Sequence, residues 1–195
     1  MNPLVDSGLE VIQPDYFRRS GLDVAGELIG SYLITKRDGF VCGGSILETE
    51  AYLGEYDPAS HAACGKTERN KAMYSTGSTA YVYGIYGIHL CFNVVCGQAG
   101  KAEAVLIRSL EPEFGIEEMK RRRKTDKKSR LTCGPANLVR ALAINKKDNN
   151  ISLPSEEIFF AYSSLPKREI IRTPRIGISK GKNLKYRFIA RHSLL

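Results

Sequence analysis

The chain has no tryptophan, only three histidines and three methionines, and five cysteines with no Cys-x-x-Cys spacing. Each scarcity removes a class of function. Histidines at 61, 89 and 192 and cysteines at 42, 64, 91, 96 and 133 are too scattered for a zinc-type ligand set, so no metal is expected. The odd thiol count argues against a disulfide framework and fits a reducing compartment, the cytoplasm. There is no Gly-x-Gly-x-x-Gly, no Walker loop and no His-Glu-x-x-His, which leaves nucleotide-cofactor and zinc-protease chemistry without support. Residues 1–6 lack the basic and apolar stretches of a signal peptide. Residues 72–100 contain no Asp, Glu, Lys or Arg, but their five glycines and alternating pattern describe strands. No membrane partner is expected.

Acidic residues are also in short supply. Twenty-one Asp and Glu stand against 29 Lys and Arg, a net charge of +8. That balance serves solubility or a polyanionic partner. A length of 195 residues suits one domain with a real core.

Strand and helix signals are mixed along the chain. Residues 1–14 read as a loose start and 15–30 as a helix with Ser20 as a possible N-cap. Residues 31–36 and 40–53 read as strands joined at Arg37-Asp38-Gly39. Residues 54–79 form a long loop, which in a compact domain is more often functional than idle. Residues 80–86 and 90–96 suggest a hairpin around Gly87, and 102–110 a further strand. Helices are expected over 115–124 and from Gly134-Pro135 to Ile144, and strands over 158–162, 170–178 and 186–190. Hairpin connections indicate an α+β fold, a single domain on a mainly antiparallel sheet with flanking helices.

Several residues invite a functional reading beside an ordinary one. Period two places Glu48, Glu50 and Tyr52 on one face, either a solvated acidic edge or a general base beside an aromatic wall. Tyr81 and Tyr83 share a strand face and suit the core, whereas Tyr86 falls at a hairpin tip, where a side chain can wedge into a partner. His61 reads as a surface or helix-capping histidine, or as a ligand. Arg108 ends the apolar Val105-Leu106-Ile107 and needs an anion, and Asn93 is a buried amide in want of partners. Eight Lys and Arg between positions 120 and 130 form a basic loop that can attract phosphates. A nucleic-acid-binding module and a metal-dependent nuclease using Glu48 and Glu50 both remain compatible with these residues.

In order and spacing, seven stretches resemble the alkyladenine (3-methyladenine) DNA glycosylase family. They are Glu48-Thr49-Glu50-Ala51-Tyr52-Leu53-Gly54, Asp57-Pro58-Ala59-Ser60-His61, Ala80-Tyr81-Val82-Tyr83 with Ile85-Tyr86-Gly87, and Cys91-Phe92-Asn93-Val94-Val95. Ala104 through Pro112, Cys133-Gly134-Pro135 and Arg175-Ile176-Gly177-Ile178 complete the set. The resemblance implies a curved antiparallel sheet, no cofactor, and a monomer acting on double-stranded DNA that contains damaged purines. It implies that Glu50 activates water, held with the help of Arg108 and the Ile176 carbonyl. Tyr52 on one side, with His61 and Tyr83 on the other, would sandwich a flipped base above Asn93, and Tyr86 would fill the gap in the DNA. The chain departs from the family pattern at Glu68, at Ser75-Thr76-Gly77-Ser78 and at Gly84.

Overall fold

The computed structural model describes residues 9–85, 87–164 and 168–191. Two short helices come first, α1 (Pro14–Phe17) and α2 (Gly21–Glu27). The sequence pattern predicts one helix over 15–30; Ser20 splits it, because its side chain accepts from the Leu22 N–H as an N-cap while its own backbone leaves the helical region. Residues 1–8 of the expected loose start lie outside the described residues; beyond them Val11 bridges to Ala161 and Ile12 is buried.

The strands are β1 (Tyr32–Arg37), β2 (Phe40–Leu53), β3 (Ala80–Ile85), β4 (His89–Cys96) and β5 (Glu103–Phe114). After them come α3 (Ile116–Arg123), α4 (Pro135–Ala141), β6 (Ile158–Ala161), β7 (Ile170–Thr173) and β8 (Arg187–Ala190). Among the described residues the strands form one antiparallel sheet in the order β3-β4-β5-β2-β1-β6, with β8 joining β2 and β7 joining β8. Asp38 and Gly39, both at positive φ, close the β1–β2 hairpin as the sequence indicated. The strand expected over 170–178 stops at Thr173, because Pro174 has no N–H to donate to a ladder.

Strand β2 organises the molecule. From Gly43 to Leu53 it pairs with β5, while β1 takes Phe40–Ser45 and β8 takes Glu48–Glu50 on the other edge. A Cβ on Gly44 would lie 1.7 Å from the Glu111 carbonyl oxygen, and one on Gly43 would lie 2.5 Å from that of Leu33. Only glycine allows the neighbours this close. A register shift between Ile46 and Glu48 then lets Ile46 and Thr49, three apart, both enter the core. Thr49 Oγ1 donates to the Ala25 carbonyl of α2 at 2.7 Å. With α2 and α4 on its core face, the sheet turns Glu48, Glu50 and Tyr52 to the opposite side.

The helix expected over 115–124 forms as α3 and takes in the first part of the basic stretch read as a loop. Residues 120–123 lie in α3, not in a loop, and Arg121 and Arg122 both pair with Glu118. Lys124, Lys127, Lys128 and Arg130 remain exposed beyond it.

Candidate active site

Glu50 cannot be part of a solvated edge: it is 0% exposed, on a strand paired along both sides. As an acceptor-only group it takes three donors. The Ile176 N–H reaches Oε1 at 3.0 Å, while the Tyr52 hydroxyl and Arg108 Nη1 reach Oε2 at 2.9 and 3.2 Å. The segment after Pro174 thus closes over Glu50 from a part of the chain 126 residues away. Arg108 also donates from Nε to Glu48 Oε1 at 2.8 Å, and Arg187 Nε meets the same oxygen at 2.6 Å. Glu48 therefore anchors two guanidiniums, and one of them is passed on to Glu50. Burial pulls the Arg108 pKa down, but Glu50 and Glu48 outweigh it, leaving the cation stabilised.

Next to this network lies a cavity of about 290 Å³. Tyr52, His61, Tyr83 and Asn93, the four expected base-holding residues, all line it. His61 and Tyr83 meet edge to face with ring centroids 4.5 Å apart, and Tyr83 stacks on the core residue Tyr81 at 5.2 Å. The His61 Nδ1 lies 2.9 Å from the Tyr81 hydroxyl, fixing the imidazole plane. Burial, aided by the charge of Arg69, lowers the His61 pKa and keeps the ring neutral near pH 7. Burial raises the Tyr52 and Tyr83 pKa values, reinforced by Glu50 at Tyr52 and by Cys91 at Tyr83. Asn93 is 2% exposed and donates from Nδ2 to the Tyr81 carbonyl at 2.9 Å, so its amide plane is fixed and Oδ1 stays available as an acceptor.

A second, wider cavity of about 700 Å³ adjoins the first across Tyr52 and Tyr83 and is lined by Arg108, Ile176 and Arg69. Glu50, Arg108 and Ile176 are thus brought together, and Tyr52 joins them to the aromatic cavity. Tyr86 lies outside the described residues. At Ile176 the observed contact to Glu50 is the N–H.

Further site residues carry no role in the sequence reading. The Arg175 guanidinium is fully buried, doubly hydrogen-bonded to Asp57, donates to the Ala51 carbonyl at 2.9 Å, and sits between the Tyr52 and Tyr186 rings at 4.6 and 5.2 Å. Burial works against ionised Asp57, but Arg175 and the Ala59 and Leu53 amides hold its pKa below the usual range. Both residues occur in stretches singled out in the sequence. Opposite charges in two such stretches were the available signal, hidden by a separation of 118 residues. Lys180 also lines the aromatic cavity. Among the described residues no cluster of three or more His, Cys, Asp or Glu could hold a metal ion. Glu48 and Glu50, the pair a nuclease would use, are already taken by arginines.

A family model described as methylpurine-DNA glycosylase matches residues 15–194. Curated relatives carry the name "Putative 3-methyladenine DNA glycosylase". One from Francisella tularensis subsp. tularensis (strain FSC 198) is 44% identical over 181 residues, covering 91% of this chain and 93% of its own. Another from Carboxydothermus hydrogenoformans is 44% identical over 180 residues, covering 91% and 94%. A third, from Prosthecochloris aestuarii, is 43% identical over 175 residues, covering 89% and 84%.

Proposed function

Because this chain belongs to the methylpurine-DNA glycosylase family and is a DNA glycosylase, we propose that it flips alkylated or deaminated purines out of duplex DNA and hydrolyses their N-glycosidic bond with a water activated by Glu50. The observation that carries this reading is a buried carboxylate, tied by Tyr52, Arg108 and Ile176, at the edge of a cavity walled by tyrosines and a neutral histidine.

The flipped base slides between Tyr52 on one side and His61 and Tyr83 on the other. A cavity of about 290 Å³ matches one heterocycle, at the small end of ligand sites (~300 Å³). Asn93, held by its bond to Tyr81, forms a rigid floor that crowds the exocyclic amino group of normal guanine. Tyr86 fills the gap left in the duplex. In the reaction, Glu50 accepts a proton from water as its oxygen bonds to the sugar C1′. The C1′–N bond breaks, and its electron pair leaves with the base. Positive charge builds on the sugar in the transition state, where the Glu50 carboxylate stabilises it. Arg108 and the Ile176 carbonyl hold the water in line. The enzyme works as a monomer on damaged DNA in the cytoplasm, with no cofactor, in base excision repair.

Methylated duplex DNA incubated with the protein in EDTA should yield free base and alkali-labile sites. Glu50→Gln should lower that rate by roughly 10²–10⁴, the usual contribution of a general base, and leave lesion binding nearly intact. An active Glu50→Gln beside a dead Glu48→Gln would overturn the assignment.

A further inference from the structure

Each of the three donors to Glu50 is itself held from behind. Arg108 is held by Glu48, which also binds Arg187. The other two, the Tyr52 hydroxyl and the Ile176 N–H, share one support, the guanidinium of Arg175. It lies 4.6 Å from the centroid of the Tyr52 ring and belongs to the residue directly before Ile176. Asp57 fixes this guanidinium in its plane: Nη1 and Nη2 donate to Oδ2 and Oδ1 at 2.5 and 2.7 Å. The same two oxygens accept the Leu53 and Ala59 N–H groups at 3.1 and 3.0 Å, which ties the pair into the chain just beyond Tyr52. Positive φ at Gly177 lets the chain turn away immediately after Ile176. It returns at Gly181, where a Cβ would lie 3.3 Å from Arg175 Nη2. Neither Arg175 nor Asp57 lines either cavity.

We infer that Arg175, fixed by Asp57, is a positioning residue of the reaction: through Tyr52 and Ile176 it sets the direction of the Glu50 carboxylate, and it touches neither base nor water itself. This rests on the reading of Glu50 as the general base. A carboxylate takes a proton along a lone pair, and the last torsion of a glutamate has no sharp preference of its own. Its direction must come from its donors. Ile176 holds Oε1, while Tyr52 and Arg108 hold Oε2, so the lone pairs left for water point where those three donors leave them. Releasing Arg175 frees two of the three at once. Arg108 then holds a single oxygen, about which the carboxylate can swing. Stability alone does not require such an arrangement, since an apolar pair of similar volume fills buried space as well as an ion pair does.

The test measures single-turnover base release from methylated duplex DNA, at a temperature where urea melts show each variant folded. Arg175→Met should lower the rate by roughly 10²-fold, the cost of a misplacement of about 1 Å. Affinity for the lesion duplex should stay within about threefold of the parent, because phosphate contacts carry most of it. Adding Asp57→Asn to Arg175→Met removes the stranded charge, so the double variant should be more stable than Arg175→Met and no faster. Arg175→Lys keeps the charge without the planar fork and should fall between Arg175→Met and the parent. A rate that recovers with stability in the double variant would make the pair a stability element and overturn the inference. So would a parent rate in folded Arg175→Lys, or a loss of affinity as large as the loss of rate. Glu50→Gln, measured alongside, separates the two failures. If it is inactive while Arg175→Lys matches the parent, the inference alone falls; if it is as active as the parent, the general-base reading falls and takes the inference with it.

Discussion

At the scale of single residues, the site depends on charges that water cannot reach. Asp57 and Arg175 have side-chain exposures of 1% and 0%, so removing one partner leaves the other buried and uncompensated. Arg175→Met or Asp57→Ala should each cost about 3–5 kcal/mol of stability, read from urea unfolding midpoints, whereas the double replacement should cost less than the sum. A different signature belongs to His61. Burial and Arg69 lower its folded pKa below the ordinary 6.5, so as pH falls the unfolded chain takes up a proton first. The stability His61 contributes is therefore complete above pH 6.5 and is lost progressively below it, down to the folded pKa. His61→Gln should flatten the acid-side fall of the unfolding midpoint between pH 7.5 and pH 5 (values set by the titration window of imidazole, roughly 6.5). An unaltered slope would mean that the imidazole is not held neutral by the fold.

At the scale of elements, β2 and its bulge place the face that carries Glu48, Glu50 and Tyr52. Gly44→Ala would push a methyl into the Glu111 carbonyl and should destabilise by roughly 3 kcal/mol, near the top of the usual overpacking range. Gly84→Ala, whose Cβ would find only the His89 carbonyl at 3.8 Å, should be neutral in the same melt and serves as its control. The ends of β2 were legible because Asp38-Gly39 is local turn chemistry, and the pairing of Arg108 with a carboxylate followed from a guanidinium ending an apolar strand. Glu50 and Tyr52 lie on β2, Tyr83 on β3 and Asn93 on β4, with β5 between β2 and β4, and His61 lies in a helical turn outside the sheet, so their convergence could be expected only from the family resemblance. The closure of Glu50 by Ile176 and the Asp57–Arg175 pair could not, because each joins segments more than a hundred residues apart. The break between α1 and α2 was half visible: Ser20 reads as a cap, yet the apolar pattern around it runs on as though one helix continued.

At the scale of the whole molecule, the charge of +8 divides into two kinds. Arg121, Arg122, Arg108, Arg175 and Arg187 are bound to carboxylates of the fold, while Lys124, Lys127, Lys128 and Arg130 stand in solvent. Replacing those four by Ser should weaken binding to every duplex alike, lesion or not. It should also flatten the plot of log affinity against log salt by about 0.9 for each phosphate that is no longer neutralised. Fluorescence anisotropy across a salt series reads both quantities, and an unchanged slope would remove this region from the DNA interface. No helix among the described residues is long and apolar enough to cross a membrane.

The pairing of Asp57 with Arg175 also bears on how such a protein can change over time. Each residue holds the other's charge and Arg175 braces the ring of Tyr52, so a lineage that loses one passes through a weakened intermediate before the second can follow. These two positions should drift as a unit or not at all. The cavity beside Tyr52 is freer: Lys180, exposed on its lining, has no such partner among the described residues. Single replacements at the rim therefore cost the fold little, while the frame beneath it remains locked.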